Sequence, residues 1–214
     1  MNKKELTCSV YERLYGVYGD CRCPLEHESA FQLLAAVMLS AQCRDERVNL
    51  VTKELFAVAP DAKKMAELDQ AEIEKIIHPC GLSVAKSGNL KNAARRIVDV
   101  FAGKVPATME ELVTLPGIGR KSANVILGNW FGIPGFPVDT HVHRLANRIG
   151  LSASDSPEKI EYEICARIEP EKWTNFSHLL IQHGRKCCSA RNPLCAECVL
   201  SDLCASGRKT RGKK

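Results

Sequence analysis

Apolar residues recur at intervals of three and four along almost the whole chain, as in Phe31, Leu34 and Met38 and then Val48, Val51 and Leu55. That period lines up side chains on one stripe of an α-helix. Strand-like alternation is hard to find. Helical stretches are predicted over Gln70–Ile77, Ala85–Phe101, Met109–Thr114, Lys121–Phe131, Thr140–Ile149, Pro157–Ile168 and Trp173–Gly184. Asp69 with Glu72, and Thr108 with Glu111, have the spacing of capping boxes, and Ser156 precedes a first-turn proline, Pro157. Short helices on short polar connections predict an all-α fold built as an irregular bundle. With 45% hydrophobic residues in 214, the chain can bury a core as one domain or two modest ones. The stretch from Gly132 to Pro137 breaks the helical pattern most completely and is the expected crossing between two domains.

No 18-residue apolar run and no N-terminal secretory pattern occur, so the reading is a cytoplasmic protein with no membrane partner. Eleven cysteines, an odd number without an export signal, argue against a disulfide framework. Five of them, Cys187, Cys188, Cys195, Cys198 and Cys204, crowd the C-terminus. Cys188, Cys195, Cys198 and Cys204 have the spacing C-x6-C-x2-C-x5-C, compact enough to wrap one metal centre. Four thiolates suit zinc or an iron-sulfur cluster, and starting from Cys187 would give C-x7-C instead.

The net charge of +5 comes from the tail from Ala205 to Lys214, whose five basic residues, once removed, leave 25 Lys and Arg against 25 Asp and Glu. Within that neutral body, Lys86 to Arg148 holds nine basic residues against four acids. Such asymmetry suits one phosphate-facing side, and equally a solvated face.

Leu115-Pro116-Gly117-Ile118-Gly119 lies between two helical stretches, and its glycines permit a tight turn at positive φ. They also let backbone N–H groups at the next helix start approach a phosphate. A bare turn between helices explains the glycines as well. Lys121 falls in the first turn of that next helix. A lysine amine is nucleophilic only when neutral; the positive end of a helix, nearby cations such as Arg120 and partial burial all disfavour its charge. Asp139 stands where it would cap the helix from Thr140.

The run from Leu115 to Asn124, followed by Val138-Asp139-Thr140-His141 and the cysteine spacing, resembles the endonuclease III family of helix-hairpin-helix DNA glycosylases. The resemblance implies two helical domains with a DNA-binding cleft between them. Their expected bounds are 24–133, a barrel-like domain carrying the hairpin, and 1–23 with 134–206, an iron-sulfur domain. Residues 207–214 would be a disordered basic tail. It further implies Lys121 as nucleophile and Asp139 as the essential carboxylate. Cys188, Cys195, Cys198 and Cys204 would hold a 4Fe-4S cluster, with Cys187 spare.

Gln42 and Leu82 match the family's residues that fill the gap left by a flipped base. Leu115, Gly117, Gly119, Arg120, His141, Arg144 and Arg191 are the other expected DNA contacts. Arg191 is the single basic residue in the loop from Cys188 to Cys195, where relatives often carry more, which weakens that loop's share of phosphate binding. The implied activity is excision of oxidised pyrimidines from duplex DNA by a monomer, with strand cleavage through a lysine Schiff base. An adenine glycosylase of the same superfamily would lack Lys121 and would carry glutamate where this chain has Ala36. A non-catalytic DNA-binding module with a structural metal would make the pairing of Lys121 with Asp139 accidental.

Overall fold

The computed structural model describes residues 1–207, in which every regular element is helical and no strand occurs. In chain order the α-helices are α1 (Lys3–Tyr18), α2 (Ala30–Leu39), α3 (Asp45–Val58), α4 (Ala62–Glu67), α5 (Gln70–Ile77), α6 (Ser83–Phe101), α7 (Met109–Leu112), α8 (Arg120–Ile126), α9 (Thr140–Ile149), α10 (Pro157–Cys165) and α11 (Trp173–Lys186). None is long and apolar enough to cross a membrane. The chain divides into two compact units: Cys23–Ile133, and Met1–Arg22 with the chain from Pro134 onward. Of the tail expected over 207–214, all but Gly207 lies outside the described residues.

The unit of Cys23–Ile133 is built around α2. Eight of the ten residues of α2 are buried, so it is apolar all round and not striped, as a central helix must be. Ser29 caps it, its hydroxyl accepting from Gln32 N–H at 3.2 Å. Striped helices pack around it: Val48, Val51 and Leu55 of α3, Ile73 and Ile77 of α5, and Leu90, Ala93, Ala94 and Ile97 of α6 all enter one core. Each large side chain buried there contributes about 1.5–3 kcal/mol. The Asp69–Glu72 box forms, with Asp69 N–H donating to the Glu72 carboxylate at 2.9 Å. Its Thr108 counterpart forms by half, because the Glu111 carboxylate accepts from the Thr108 hydroxyl at 2.8 Å instead of from the backbone. A π-helical stretch, Leu127–Phe131, prolongs α8.

The other unit holds α1 and α9–α11. Leu6, Val10 and Leu14 of α1 join Val142, Leu145, Ala146 and Ile149 of α9 in its core. Phe176 of α11 is fully buried, with Tyr11 edge-on at 5.6 Å between ring centres and Phe136 at 5.9 Å. The segment leading to α9 is tied down by Ser177, whose hydroxyl donates to Pro137 O at 2.7 Å. That bond fixes the entry to Asp139.

Candidate functional site

The turn between α7 and α8 divides labour between its two glycines. Gly117 has φ +81°, and a Cβ there would lie 2.9 Å from Met38 Cε and 3.0 Å from Asn89 Cβ. It is required by the fold. Gly119, expected to share the positive φ, has instead φ −101° and ψ 176°, which any residue adopts, and a Cβ would meet nothing within 4 Å. Its missing side chain clears space outside the protein. Gly119 is the N-cap of α8 without a side-chain acceptor for the first-turn N–H groups. A helix start capped without a side chain is the arrangement in which an external anion can approach the first-turn N–H groups.

Leu115, expected among the DNA contacts, is 1% exposed and belongs to the core, because a turn this tight needs an apolar anchor before its proline. Its carbonyl also accepts from Ile118 N–H at 3.0 Å. Arg120 and Lys121 are exposed at the start of α8. The partial burial expected of Lys121 is therefore not supplied by the protein alone.

Gln42 and Leu82 lie in the same unit as the turn, and both are non-glycine residues with positive φ, +55° and +52°. For such residues the left-handed region costs about 1 kcal/mol or more, so the surrounding structure must hold them there. Both are exposed, Leu82 to 58%, an unusual position for a leucine whose sequence neighbours at Cys80 and Lys86 are buried.

On α9 the buried stripe Val142, Leu145, Ala146 and Ile149 leaves Arg144 and Arg148 on another face. Asp139 is the N-cap, its Oδ1 accepting from Val142 N–H at 2.8 Å. The second carboxylate oxygen has no part in that bond. Burial pulls the His141 imidazole below the usual histidine range, Arg144 and Arg185 add to this, and Asp139 opposes it. His141 Nδ1 lies 3.1 Å from Arg144 Nη2.

Arg144, an expected DNA contact, gives its donors to the protein: Nη2 reaches Gly184 O at 3.1 Å and Cys188 O at 3.0 Å. Arg148, which sequence reasoning did not single out, donates to Ser189 O at 2.7 Å and Ala190 O at 2.6 Å. The pair, one helical turn apart, pins the start of the cysteine loop to α9. That i, i+4 spacing on the polar face of a strongly amphipathic helix was the available signal. Arg191 is exposed on the loop, which Ser189 and Asn192 close with a bond of 2.7 Å.

Cys187, Cys188, Cys195, Cys198 and Cys204 line one cavity with Ile149, His183, Leu194 and Leu200. The tightest ligand grouping there is His183, Cys187 and Cys198, whose ligand atoms lie within 4.8 Å of one another. No three of Cys188, Cys195, Cys198 and Cys204 approach so closely. One tetrahedral zinc would draw four sulfurs to about 3.8 Å from each other. A four-iron cluster takes one thiolate per iron, so wider spacing around one largely apolar cavity suits it. His183 was also missed by sequence reasoning. Burial pulls its imidazole below the usual histidine range, with Nε2 3.3 Å from Cys198 Sγ and Nδ1 3.1 Å from the Tyr18 hydroxyl. Burial, and then Cys198 beside it, push the Cys187 thiol up to about 12.

Comparison with known proteins places these features in a family. Residues 35–170 match the model of the HhH-GPD superfamily of base excision DNA repair proteins. Residues 188–204, from Cys188 to Cys204, match the iron-sulfur binding domain of endonuclease III. Endonuclease III of Synechocystis is 47% identical over 208 residues, 97% of this chain and 95% of that one. A solved non-covalent endonuclease III–DNA complex superimposes with TM-score 0.94 at 37% identity, covering 100% of both chains. A trapped covalent endonuclease III–DNA intermediate superimposes with TM-score 0.93 at 36% identity, covering 99% of this chain and 100% of that one.

Proposed function

The chain belongs to the endonuclease III family of the HhH-GPD superfamily, and from that premise we propose that it excises oxidised pyrimidines from duplex DNA and cleaves the resulting abasic site, with Lys121 as nucleophile. The observation that carries the reading is an exposed lysine in the first turn of α8, directly after a glycine turn whose N-cap, Gly119, places no side chain over the helix-start N–H groups. Phosphate on those N–H groups would place the sugar backbone beside the amine.

The chemistry is set by the groups present. Glycosylases must extrude their target from the stack, and Gln42 and Leu82 fill the gap it leaves. Bound DNA buries Lys121 and supplies the desolvation that favours a neutral amine. The amine attacks C1′, the bond from C1′ to the base breaks and the base leaves; the bound amine then gives up a proton and its lone pair opens the C1′–O4′ bond, O4′ taking a proton, to form the C=N bond. The resulting Schiff base acidifies the C2′ proton, whose removal expels the 3′ phosphate by β-elimination. Asp139, with one oxygen bound to Val142 N–H, keeps the other for proton transfer and for stabilising positive charge at the sugar. Gly117 shapes the turn, and Gly119 and Arg120 meet the phosphates.

Cys188, Cys195, Cys198 and Cys204 would hold the 4Fe-4S cluster, which would supply a covalent staple for a loop with little core of its own. Arg144, Arg148 and His183 position that loop against α9 and α11. Arg191 is its one basic contact to DNA. The protein acts where its substrate is, in the cytoplasm at the nucleoid. Incubation with duplex DNA containing one oxidised pyrimidine tests the activity. Free damaged base and a β-eliminated 3′ end are expected, and release of base without strand cleavage would remove the Schiff-base step.

A further inference from the structure

Lys86 is a lysine that the chemistry above leaves unused, yet it is only 6% exposed. Its Nζ donates to Leu39 O at 2.8 Å and to Cys80 O at 2.9 Å. Leu39 is the last residue of α2, and Cys80 the last of the short 3-10 turn His78–Cys80. Carbonyls at helix ends lack intrahelical partners and carry the negative end of the dipole, so a cation there is favourable. The unusual feature lies just downstream of each carbonyl. Three residues after Leu39 comes Gln42, and two after Cys80 comes Leu82, two of the three exposed non-glycine residues at positive φ among the described residues, the third being Ala102 at the C-cap of α6. The Lys86 backbone N–H also donates to Leu82 O at 2.9 Å, the first helical bond of α6.

We propose that Lys86 is a positioning residue for base extrusion: its buried ammonium ties together the two segments that carry Gln42 and Leu82, so that both enter the duplex as one rigid wedge. The inference rests on the reading of Gln42 and Leu82 as gap-filling residues. Two separate loops, each free to relax from a left-handed residue to a lower-energy conformation, would lose the wedge without such a tie. A buried ammonium is costly to desolvate, and burial lowers the proton affinity of Lys86. Two apolar contacts would join the loops at less cost, but could not satisfy the two terminal carbonyls. The lysine does both.

The test compares Lys86→Met, which keeps most of the apolar stem and loses the donors, with Gln42→Ala and Leu82→Ala in the full cluster-bearing protein. The substrate is a duplex with 2-aminopurine opposite an uncleavable abasic analogue, whose fluorescence rises when the orphaned base unstacks. All three variants are expected to lose most of that rise. Lys86→Met should also slow single-turnover excision from duplex DNA by about tenfold to a hundredfold, the cost of misplacement by about an ångström. It should leave β-elimination at an abasic site in single-stranded DNA within about twofold, because no partner strand has to be parted there. If Lys86→Met does not fold, Lys86→Gln, whose shorter side chain reaches only one carbonyl, carries the same test. A native fluorescence rise in Lys86→Met alone overturns the positioning role. A native rise in Gln42→Ala and Leu82→Ala overturns the wedge reading and the proposal with it. Equal loss on duplex and single-stranded substrates makes Lys86 a general stabilising residue and also overturns it.

Discussion

Alanine at Gly117 and alanine at Gly119 should fail in different ways, although the two glycines are two residues apart in one turn. At Gly117 the backbone sits at φ +81°, where an L-residue costs about 1–2 kcal/mol. The new methyl would also lie 2.9 Å from Met38 Cε and 3.0 Å from Asn89 Cβ. The end of a methionine can swing aside, but Asn89 Cβ is fixed to the backbone of α6, so strain of about 1–2 kcal/mol is added, within the range for overpacking. The total is about 2–4 kcal/mol, or about 4–16 °C in thermal midpoint for a chain of this size. Gly119→Ala meets no neighbour within 4 Å and keeps an ordinary conformation. Its cost is the lesser N-cap preference of alanine, under about 1 kcal/mol. The same methyl, however, stands where a phosphate must reach the first-turn N–H groups of α8. Loss of one charge-assisted hydrogen bond weakens affinity by about tenfold or more. Calorimetry of both variants, with titration of each against a duplex bearing an uncleavable abasic analogue at one salt concentration, separates the effects. Equal midpoints, or unchanged affinity in Gly119→Ala, would refute the division of roles.

Two further outcomes are expected. Asp139→Asn keeps the cap to Val142 N–H and should retain native stability while base excision falls at least about tenfold, whereas Asp139→Ala should also lose up to about 2 kcal/mol; native single-turnover excision in the asparagine variant would reduce Asp139 to a cap. Protein purified without air should be yellow-brown with iron and sulfide, and Cys188→Ser should lose the cluster while Cys187→Ser keeps it; bound zinc, or loss only on changing Cys187, would contradict the ligand set.

The sequence made some of this legible and hid the rest for identifiable reasons. The bounds of α5 and α9 are set by local pattern and caps, and the structure returns both as expected. Helix α1 lies outside the expected helical stretches, although Leu6, Val10 and Leu14 recur every fourth residue and Asn2 with Glu5 forms a capping box. Its signal is present in the sequence. Helix α4 is different, because six residues are too few to establish a period. The glycine motif is visible, but its split into a packing glycine and a clearance glycine depends on Met38 and Asn89, distant in sequence. Lys86 illustrates the same limit: in sequence it is one more basic residue in a basic stretch, and its partners Leu39 and Cys80 are brought to it by tertiary structure. Arg144 reads as a DNA contact in sequence, and its commitment to Gly184 O and Cys188 O depends on the close passage of α11 past α9.

The mechanism turns on which amine forms the covalent bond. Borohydride trapping of the protein on DNA carrying an abasic site, followed by proteolysis and mass mapping of the modified peptide, reads that directly. The reduced adduct is predicted on Lys121, and Lys121→Gln is predicted to fold, to bind the same DNA and to give none. An adduct on another lysine or on the N-terminal amine, or undiminished trapping by Lys121→Gln, would contradict the assignment.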